Sequence, residues 1–212
     1  MGKIIFTREE AVRLFHDMRP DFFTREEVRS IPEDDIRTEM ALALAEWKET
    51  ELETGASAQA EPECGGMGTS APEAVRFGYY QGSMDRLHEA VRRVEPDWVQ
   101  WFDGKEKCYC GFIGEQIVSF CLETDLGVHE FGGKRASFAG PGCVGTVPEY
   151  RRRGIGARMV LNMTRILRKK GYDYSYIHDT GVADWYGRMG YQPLVRWSGS
   201  GFVEEPGPGK QT

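Results

Sequence analysis

The residues best suited to chemistry form a short basic turn, Arg151-Arg152-Arg153-Gly154-Ile155-Gly156. Glycines at 154 and 156 carry no Cβ, so a polyanion can approach the backbone closely. The first N–H groups of the helix that should follow lack intrahelical partners and carry the positive end of the helix dipole. A strand, a basic turn and a helix in this order predict an anion site, most simply for a phosphate. The alternative is a solvated basic turn.

Two common phosphate motifs do not fit this turn. The sequence lacks the run Gly-x-x-x-x-Gly-Lys-Ser/Thr. The dinucleotide pattern Gly-x-Gly-x-x-Gly is incomplete, because Met159 stands where the third glycine would fall. The anion site is therefore predicted to be of another kind.

The elements around the turn follow from the spacing of apolar residues. Cys143 to Val147 predicts a short strand, and apolar residues recur at helical spacing from Ile155 to Leu167. Further segments are predicted as a strand over 172–177, a break at 178–181, a short helix over 182–189 and a strand over 191–197. This order of strands and helices indicates an α/β layer fold.

Upstream of the turn, glycines punctuate the predicted elements. Residues 107–112 and 116–122 flank Gly114 and predict an antiparallel hairpin. Residues 127–142 contain five glycines and predict a loop that is mobile or close to a ligand. Earlier still, residues 75–80 predict a strand and residues 83–94 a helix.

Two motifs resemble the signature of the GNAT family of N-acetyltransferases. Val147-Pro148-Glu149-Tyr150-Arg151-x-x-Gly154-Ile155-Gly156 is similar to its acetyl-CoA motif, Arg/Gln-x-x-Gly-x-Gly/Ala after a strand. Ala183-Asp184-Trp185-Tyr186-Gly187-Arg188-Met189-Gly190-Tyr191 is similar to its Ala-x-x-Phe/Leu-Tyr-x-x-x-Gly-Phe/Tyr segment. The resemblance extends over roughly residues 105–197. It implies a mixed, mostly antiparallel twisted sheet flanked by helices, and acetyl-CoA or another acyl-CoA as cofactor.

The resemblance also implies roles for single residues. The pantetheine arm would lie along the strand before the turn, with contacts from Thr146 and Val147. Asp179 stands where the family often has an asparagine that touches the cofactor or orders a loop. Tyr186 would protonate the leaving thiolate, since a phenol stays protonated at neutral pH; the alternative is that Tyr186 only packs the short helix against the sheet. Pyrophosphate contacts would come from the backbone N–H groups of Arg152, Arg153, Gly154, Ile155, Gly156 and Ala157, with added charge from the side chains of Arg151, Arg152 and Arg153.

A general base is also expected, because the attacking amine must lose a proton. Glu123, at the predicted end of a hairpin strand, is the candidate, and Asp125, His129 and Glu130 follow it. Each of these could instead be an ordinary loop or surface residue. His178 is a further candidate for the base. The simpler interpretation is a histidine at the end of a strand with satisfied hydrogen bonds.

Composition limits the classes of partner. The chain has 212 residues and a net charge of −6, and residues 1–56 hold 14 Asp and Glu against 8 Lys and Arg. The remainder is balanced, so the basic face that nucleic-acid binding needs is not expected. The sequence has no apolar run long enough to cross a bilayer, so no membrane partner is predicted. Five cysteines, mostly in predicted strands, are expected to be reduced, which predicts a cytoplasmic protein without a metal site.

The predicted domain organisation has four parts. Residues 1–56 form an acidic helical extension, residues 57–73 a flexible linker, residues 74–204 the acetyltransferase domain and residues 205–212 a disordered tail.

Within the extension, Thr7-x-x-Glu10 and Thr24-x-x-Glu27 match capping boxes. Four apolar residues predict one face of a helix over residues 32–53, which must pack on the enzyme body or on a second subunit; they are Ile36, Met40, Leu44 and Trp47. A homodimer is therefore left open.

Three functions remain open at this point. The first is transfer of an acetyl group to a primary amine of a small molecule, by direct attack on the thioester. The second is the same reaction on a protein or peptide amine. The third is a non-catalytic module that binds acyl-CoA. Aromatic residues that could line an acceptor pocket, or belong to the core, are Tyr79, Tyr80, Trp98, Trp101, Phe102 and Trp185.

Overall fold

The computed structural model describes residues 4–48 and 74–203. The helices in these ranges are α1 Arg8–Met18, α2 Glu26–Arg29, α3 Met84–Arg92, α4 Ile155–Lys169 and α5 Ala183–Gly187. The strands are β1 Arg37–Ala43, β2 Arg76–Tyr79, β3 Lys107–Ile113, β4 Gln116–Phe131, β5 Lys134–Thr146, β6 Tyr174–Thr180, β7 Gln192–Ser198 and β8 Gly201–Phe202. Short 3₁₀ helices cover Phe22–Thr24, Pro96–Trp101 and Pro148–Tyr150.

The chain divides into two compact units. The first contains the described parts of Met1–Lys48, Asp125–Gly140 and Leu167–Thr212, and the second those of Glu49–Thr124 and Pro141–Ile166. Neighbouring strands follow the order β4-β5-β6-β1-β7-β8 in the first unit and β2-β3-β4-β5 in the second. Strands β5 and β6 are parallel, whereas β1 is antiparallel to β6 and β7, and β3 to β2 and β4. The predicted fold class, a mixed and mostly antiparallel sheet with helices, is confirmed.

Aromatic rings dominate the core of the first unit. Phe15 of α1 packs edge-on against Phe22, with ring centroids 5.2 Å apart, and against Trp197 of β7. Phe138 of β5 stacks on Tyr174 of β6 at 4.9 Å. Each such pair contributes about 0.5–1.5 kcal/mol beyond the burial of area. These contacts fix α1 against its own unit.

The second unit has a separate apolar core. Leu87 and Val91 of α3 are buried with Phe102 and with Phe120 of β4. Ser83 caps α3, because its hydroxyl accepts the N–H of Arg86. The predicted hairpin and the predicted helix over residues 83–94 are thus confirmed.

One of the two predicted capping boxes forms. The Thr7 hydroxyl accepts the Glu10 N–H at 3.1 Å, and the Glu10 carboxylate accepts the Thr7 N–H at 2.7 Å. The Thr24 box is wrong, because α2 begins at Glu26 after Arg25, which makes no side-chain cap.

The helix predicted over residues 32–53 is also wrong. Arg37–Ala43 is strand β1, and Met40 pairs with Ile177 of β6 on one side and Pro193 of β7 on the other. A strand buried on both faces is a continuous apolar run, which periodicity does not distinguish from a buried helix. The proposed linker and tail lie outside the described residues, and the division into an extension and a catalytic domain stays a prediction.

The predicted loop over residues 127–142 is wrong as well. Strand β4 continues to Phe131 and β5 begins at Lys134, with Gly132 and Gly133 in the turn at φ 59° and 73°. Gly140 has a packing role, because a Cβ there would lie 1.8 Å from the Tyr176 carbonyl oxygen. These glycines permit tight turns and close strands, so their number did not indicate a loop.

Candidate functional site

The end of strand β5 is fixed against β4 within the second unit. The Ser119 hydroxyl donates to the Gly145 carbonyl at 2.7 Å, and the Val147 N–H donates to the Val118 carbonyl at 3.0 Å. Gly145 leaves room for Phe120, whose ring would lie 2.4 Å from an added Cβ. The chain therefore enters the basic turn from a rigid point.

The basic turn then reverses into helix α4 through two left-handed residues. Arg152 has φ 60° and Gly154 φ 70°. The first hydrogen bond of α4 runs from the Arg158 N–H to the Gly154 carbonyl at 3.0 Å. The N–H groups of residues 155–157 thus precede the helical ladder and carry the positive end of the helix dipole. A diphosphate fits this arrangement of donors.

The arginine side chains of the turn are exposed but have local contacts. Arg151 Nε donates to the Thr146 carbonyl at 3.0 Å, so this side chain ties the turn to the end of β5. The Arg153 guanidinium lies 5.2 Å from the centre of the Tyr150 ring. The side chains of Arg151 and Arg153 keep their positive charge near the turn. Arg151 in addition holds the backbone of the turn in place.

Thr146 and Val147, predicted to contact pantetheine, form hydrogen bonds within the second unit. The Thr146 hydroxyl lies 3.2 Å from that of Ser119. Val147 is fully buried, and its N–H is used by Val118. Bonding of a pantetheine amide to that N–H is therefore blocked in this conformation.

Tyr186, the predicted acid, lies in α5 of the first unit and is buried. Its ring packs against Trp185 at 4.8 Å and against Tyr191 at 5.8 Å, both edge-on. The Tyr191 hydroxyl in turn lies 2.7 Å from that of Ser175. This packing fixes the orientation of the phenol ring.

Asp179 and His178 belong to strand β6, which ends at Thr180 and so extends into the break predicted at residues 178–181. Asp179 has φ 60°, and the pairing of β6 with β1 shifts register beside it. Its N–H donates to Glu39 Oε1 at 3.1 Å, and its carboxylate lies 3.7 Å from Arg19 Nη2. Asp179 is thus tied into its own unit.

Glu39 is the centre of a polar cluster that was not predicted. Its carboxylate is fully buried in β1 and lies 2.9 Å from His178 Nδ1, 2.9 Å from Trp197 Nε1 and 3.5 Å from Arg19 Nη1. Burial alone would raise the pKa of Glu39, but the His178 hydrogen bond, the charges of His178 and Arg19 and the Trp197 N–H lower it to about 2. This Glu39 cluster, consisting of Glu39, Arg19, His178, Asp179 and Trp197, holds an ionised carboxylate in the core. The signal that the sequence offered was a glutamate directly before the apolar run that starts at Met40.

Glu123 is half-buried in the second unit and accepts a hydrogen bond from the Tyr79 hydroxyl at 2.5 Å. Burial raises the pKa of Tyr79, and the bond to Glu123 raises it further, so Tyr79 remains the donor. Tyr79 was not predicted as a partner. Of the other candidates for the base, Asp125 and Glu130 are exposed on β4, and the His129 ring bonds to the Leu126 carbonyl.

A cavity of about 450 Å³ lies in the second unit. Of the predicted aromatic residues, Tyr79, Tyr80 and Phe102 line it, whereas the Trp101 side chain is largely exposed. Trp185 lines a different cavity, in the first unit.

The cysteines at 108, 110, 121 and 143 are free thiols, and Cys64 lies outside the described residues. Burial raises the pKa of Cys143 to about 12, so it stays a protonated thiol. Within the two described ranges, no group of three or more His, Cys, Asp or Glu side chains is arranged to hold a metal ion. No helix of these ranges has the length and apolarity that a membrane crossing requires.

The chain is similar to several solved structures. The GCN5-related glucosamine N-acetyltransferase region of a fungal multi-domain GH3 beta-N-acetylglucosaminidase is 18% identical with a TM-score of 0.61, and the alignment covers 77% of this chain and 20% of that one. A GCN5-related N-acetyltransferase from Kribbella flavida is 15% identical with a TM-score of 0.46, covering 76% and 55%. The chain therefore spans between a fifth and about half of these proteins. No curated protein matches it.

The model of the acetyltransferase (GNAT) domain matches residues 79–194, which contain the basic turn, Glu123 and Tyr186. This match spans more than half of the 212 residues. The family consists of acetyltransferases that use acetyl-CoA, and the chain belongs to it.

Proposed function

We propose that this protein is a cytoplasmic enzyme that transfers an acetyl group from acetyl-CoA to the primary amine of a small molecule. The observation that carries the proposal is the basic turn, in which Arg152 and Gly154 adopt left-handed conformations and the N–H groups of residues 155–157 precede the ladder of α4. This geometry suits the pyrophosphate of acetyl-CoA. The free thiols suit a reducing compartment.

In the proposed reaction the amine nitrogen attacks the thioester carbonyl. A C–N bond forms, the C–S bond breaks, and CoA leaves as the thiolate. Tyr186 gives its phenol proton to that thiolate, and Glu123 accepts the proton that the amine loses. The net reaction yields an amide and CoA-SH, and proton exchange with solvent restores both side chains.

The packing of each residue supports its role. The Tyr186 ring is held between Trp185 and Tyr191, so the direction of its hydroxyl is defined. The Tyr79 hydroxyl donates to Glu123, which favours an ionised carboxylate able to accept a proton. Asp179 contributes by fixing the end of β6 and not by contacting phosphate, since its own negative charge would oppose that contact.

A small acceptor is favoured over a protein amine by the cavity of the second unit. Its volume of about 450 Å³ lies in the range usual for small-molecule sites. A non-catalytic acyl-CoA module remains the second candidate, because Glu123, the proposed base, already has a structural partner in the Tyr79 hydroxyl.

The test combines binding with turnover. Titration calorimetry with acetyl-CoA should show one site, and a Gly154→Val variant should lose it, since a β-branched side chain is strained at φ 70°. Release of CoA thiol in the presence of amines should follow for the unmodified protein. Binding without thiol release from any amine would support the non-catalytic module. An absence of binding would overturn both.

A further inference from the structure

The cavity of the second unit has an apolar floor. Phe102 and Leu87 are buried there, as are Cys108 of β3 and Leu122 of β4, and Met84 at the start of α3 is half-buried. Such a floor gains free energy by covering an apolar body and offers few partners to a polyhydroxylated one.

One half-buried carboxylate, Glu106, lies in the wall of this cavity. Strand pairing places Lys107 opposite Glu123, and Glu106 is the residue before Lys107. Glu123 is held by the Tyr79 hydroxyl, and Tyr79 also lines the cavity. The carboxyl groups of Glu106 and Glu123 therefore lie at the same end of the β3–β4 hairpin, and that of Glu106 is in the cavity wall.

The positive charge at this wall is Lys107, whose side chain is exposed and whose Nζ lies 6.0 Å from the centre of the Tyr79 ring. A ligand with several positive charges would meet Lys107 as well as Glu106. A ligand with one ammonium group can pair with Glu106 and avoid Lys107. The charges thus favour a monocation.

We propose that the acceptor is a monocationic amine with an aryl or alkyl body, whose ammonium group pairs with Glu106 while its body covers the floor around Phe102 and Leu122. This assignment rests on the proposed acetyltransferase activity. Glu106 acts here in recognition, and Glu123 keeps the proton transfer. Deprotonation of the bound ammonium releases the neutral amine that attacks the thioester.

The experiment uses the full chain with phenethylamine as the probe. Spermidine, glucosamine, phenylalanine and a lysine-containing peptide serve as competing acceptors in the thiol-release assay. We expect phenethylamine to have the highest kcat/KM, by about tenfold or more, as a charged hydrogen bond and a covered ring predict. The Glu106→Gln variant should raise the KM for phenethylamine by about tenfold and leave acetyl-CoA binding unchanged. Glu115→Gln, an exposed change in the β3–β4 turn, should alter neither.

The outcomes separate this inference from the proposed function. Acetyl-CoA binding together with a preference for spermidine, glucosamine, phenylalanine or the peptide would overturn the monocationic aryl- or alkylamine as the acceptor and leave the acetyltransferase intact. The same holds if Glu106→Gln does not change the KM for phenethylamine. If acetyl-CoA fails to bind, the proposed function fails, and calorimetry with phenethylamine alone then decides whether the cavity takes this amine. Absence of that binding would overturn the cavity assignment too.

Discussion

In the Glu39 cluster both carboxylate oxygens accept hydrogen bonds from donors inside the first unit. In the basic turn of the second unit the N–H groups of residues 155–157 precede the helical ladder. Each region has a non-glycine residue in the left-handed conformation, Asp179 in one and Arg152 in the other. The left-handed residue thus occurs in two settings: in the cluster it accompanies a buried hydrogen-bond network, and in the turn it leads into the first N–H groups of a helix.

The largest effect is expected when the shared acceptor of the Glu39 cluster is removed. Glu39→Ala leaves His178, Arg19 and the Trp197 N–H without their shared acceptor, and we expect a loss of about 3–5 kcal/mol of unfolding free energy. Urea unfolding followed by tryptophan fluorescence measures it. Glu130→Ala, an exposed site on β4, serves as the control. A loss below about 1 kcal/mol, the range of surface pairs, would show that the cluster stabilises little.

The second-largest expected effect is on turnover. Tyr186 lies in the same unit as the Glu39 cluster, but its proposed role is that of the acid in the reaction. Tyr186→Phe keeps the ring that packs on Trp185 and Tyr191 and removes the acid. We expect kcat to fall on the order of a hundredfold, as for loss of general acid catalysis, with the acetyl-CoA affinity near normal. Steady-state kinetics with calorimetry checks this. An unchanged kcat would exclude Tyr186 from the mechanism.

Acid should weaken the cluster before it affects the turn. The folded pKa of Glu39, about 2, lies below its ordinary value of 4.5. Its contribution is therefore fully present above about pH 4.5 and is lost as the pH falls toward 2. Thermal melts of the protein and of Glu39→Gln should differ most near neutral pH and converge below pH 4. A gap that stays constant down to pH 3 would contradict the assignment.

The smallest expected effect distinguishes backbone strain at Gly154 from a lack of space for a side chain there. An added Cβ meets nothing within 4 Å at either Gly154 or Gly78, but only Gly154 of the two has a positive φ. Gly154→Ala should cost about 1–2 kcal/mol of local strain and weaken acetyl-CoA binding by about tenfold, whereas Gly78→Ala should leave binding unchanged. Equal affinities in the two variants would show that the turn tolerates an L residue.

Local patterns predicted much of the fold. The Thr7 capping box, helix α4 and the β3–β4 hairpin follow from signals within a few residues of one another. Strand β1 could not be identified, because its burial depends on β6 and β7, which lie far away in sequence. The same distance hid the Glu39 cluster, whose members come from four separate segments.

The residues of the candidate site also differ in whether local sequence could predict them. The basic turn was predictable because its glycines and arginines are contiguous. Glu106 was not predictable, since its proposed role depends on a cavity to which α3, β3 and β4 contribute residues. The contact between Arg151 and the Thr146 carbonyl could not be predicted from the sequence either, because an arginine beside a phosphate motif is usually assigned to the phosphate.

The position of β1 has a consequence for synthesis. Met40 leaves the ribosome early, yet its partners Ile177 and Pro193 are made much later. At about 5–20 residues per second the wait is on the order of ten seconds. Throughout that interval the apolar run Met40-Ala41-Leu42-Ala43-Leu44 has no strand to pair with. The nascent chain should therefore be a ready client for a chaperone, and pulse-labelled chains stalled before Gln192 should co-purify with one.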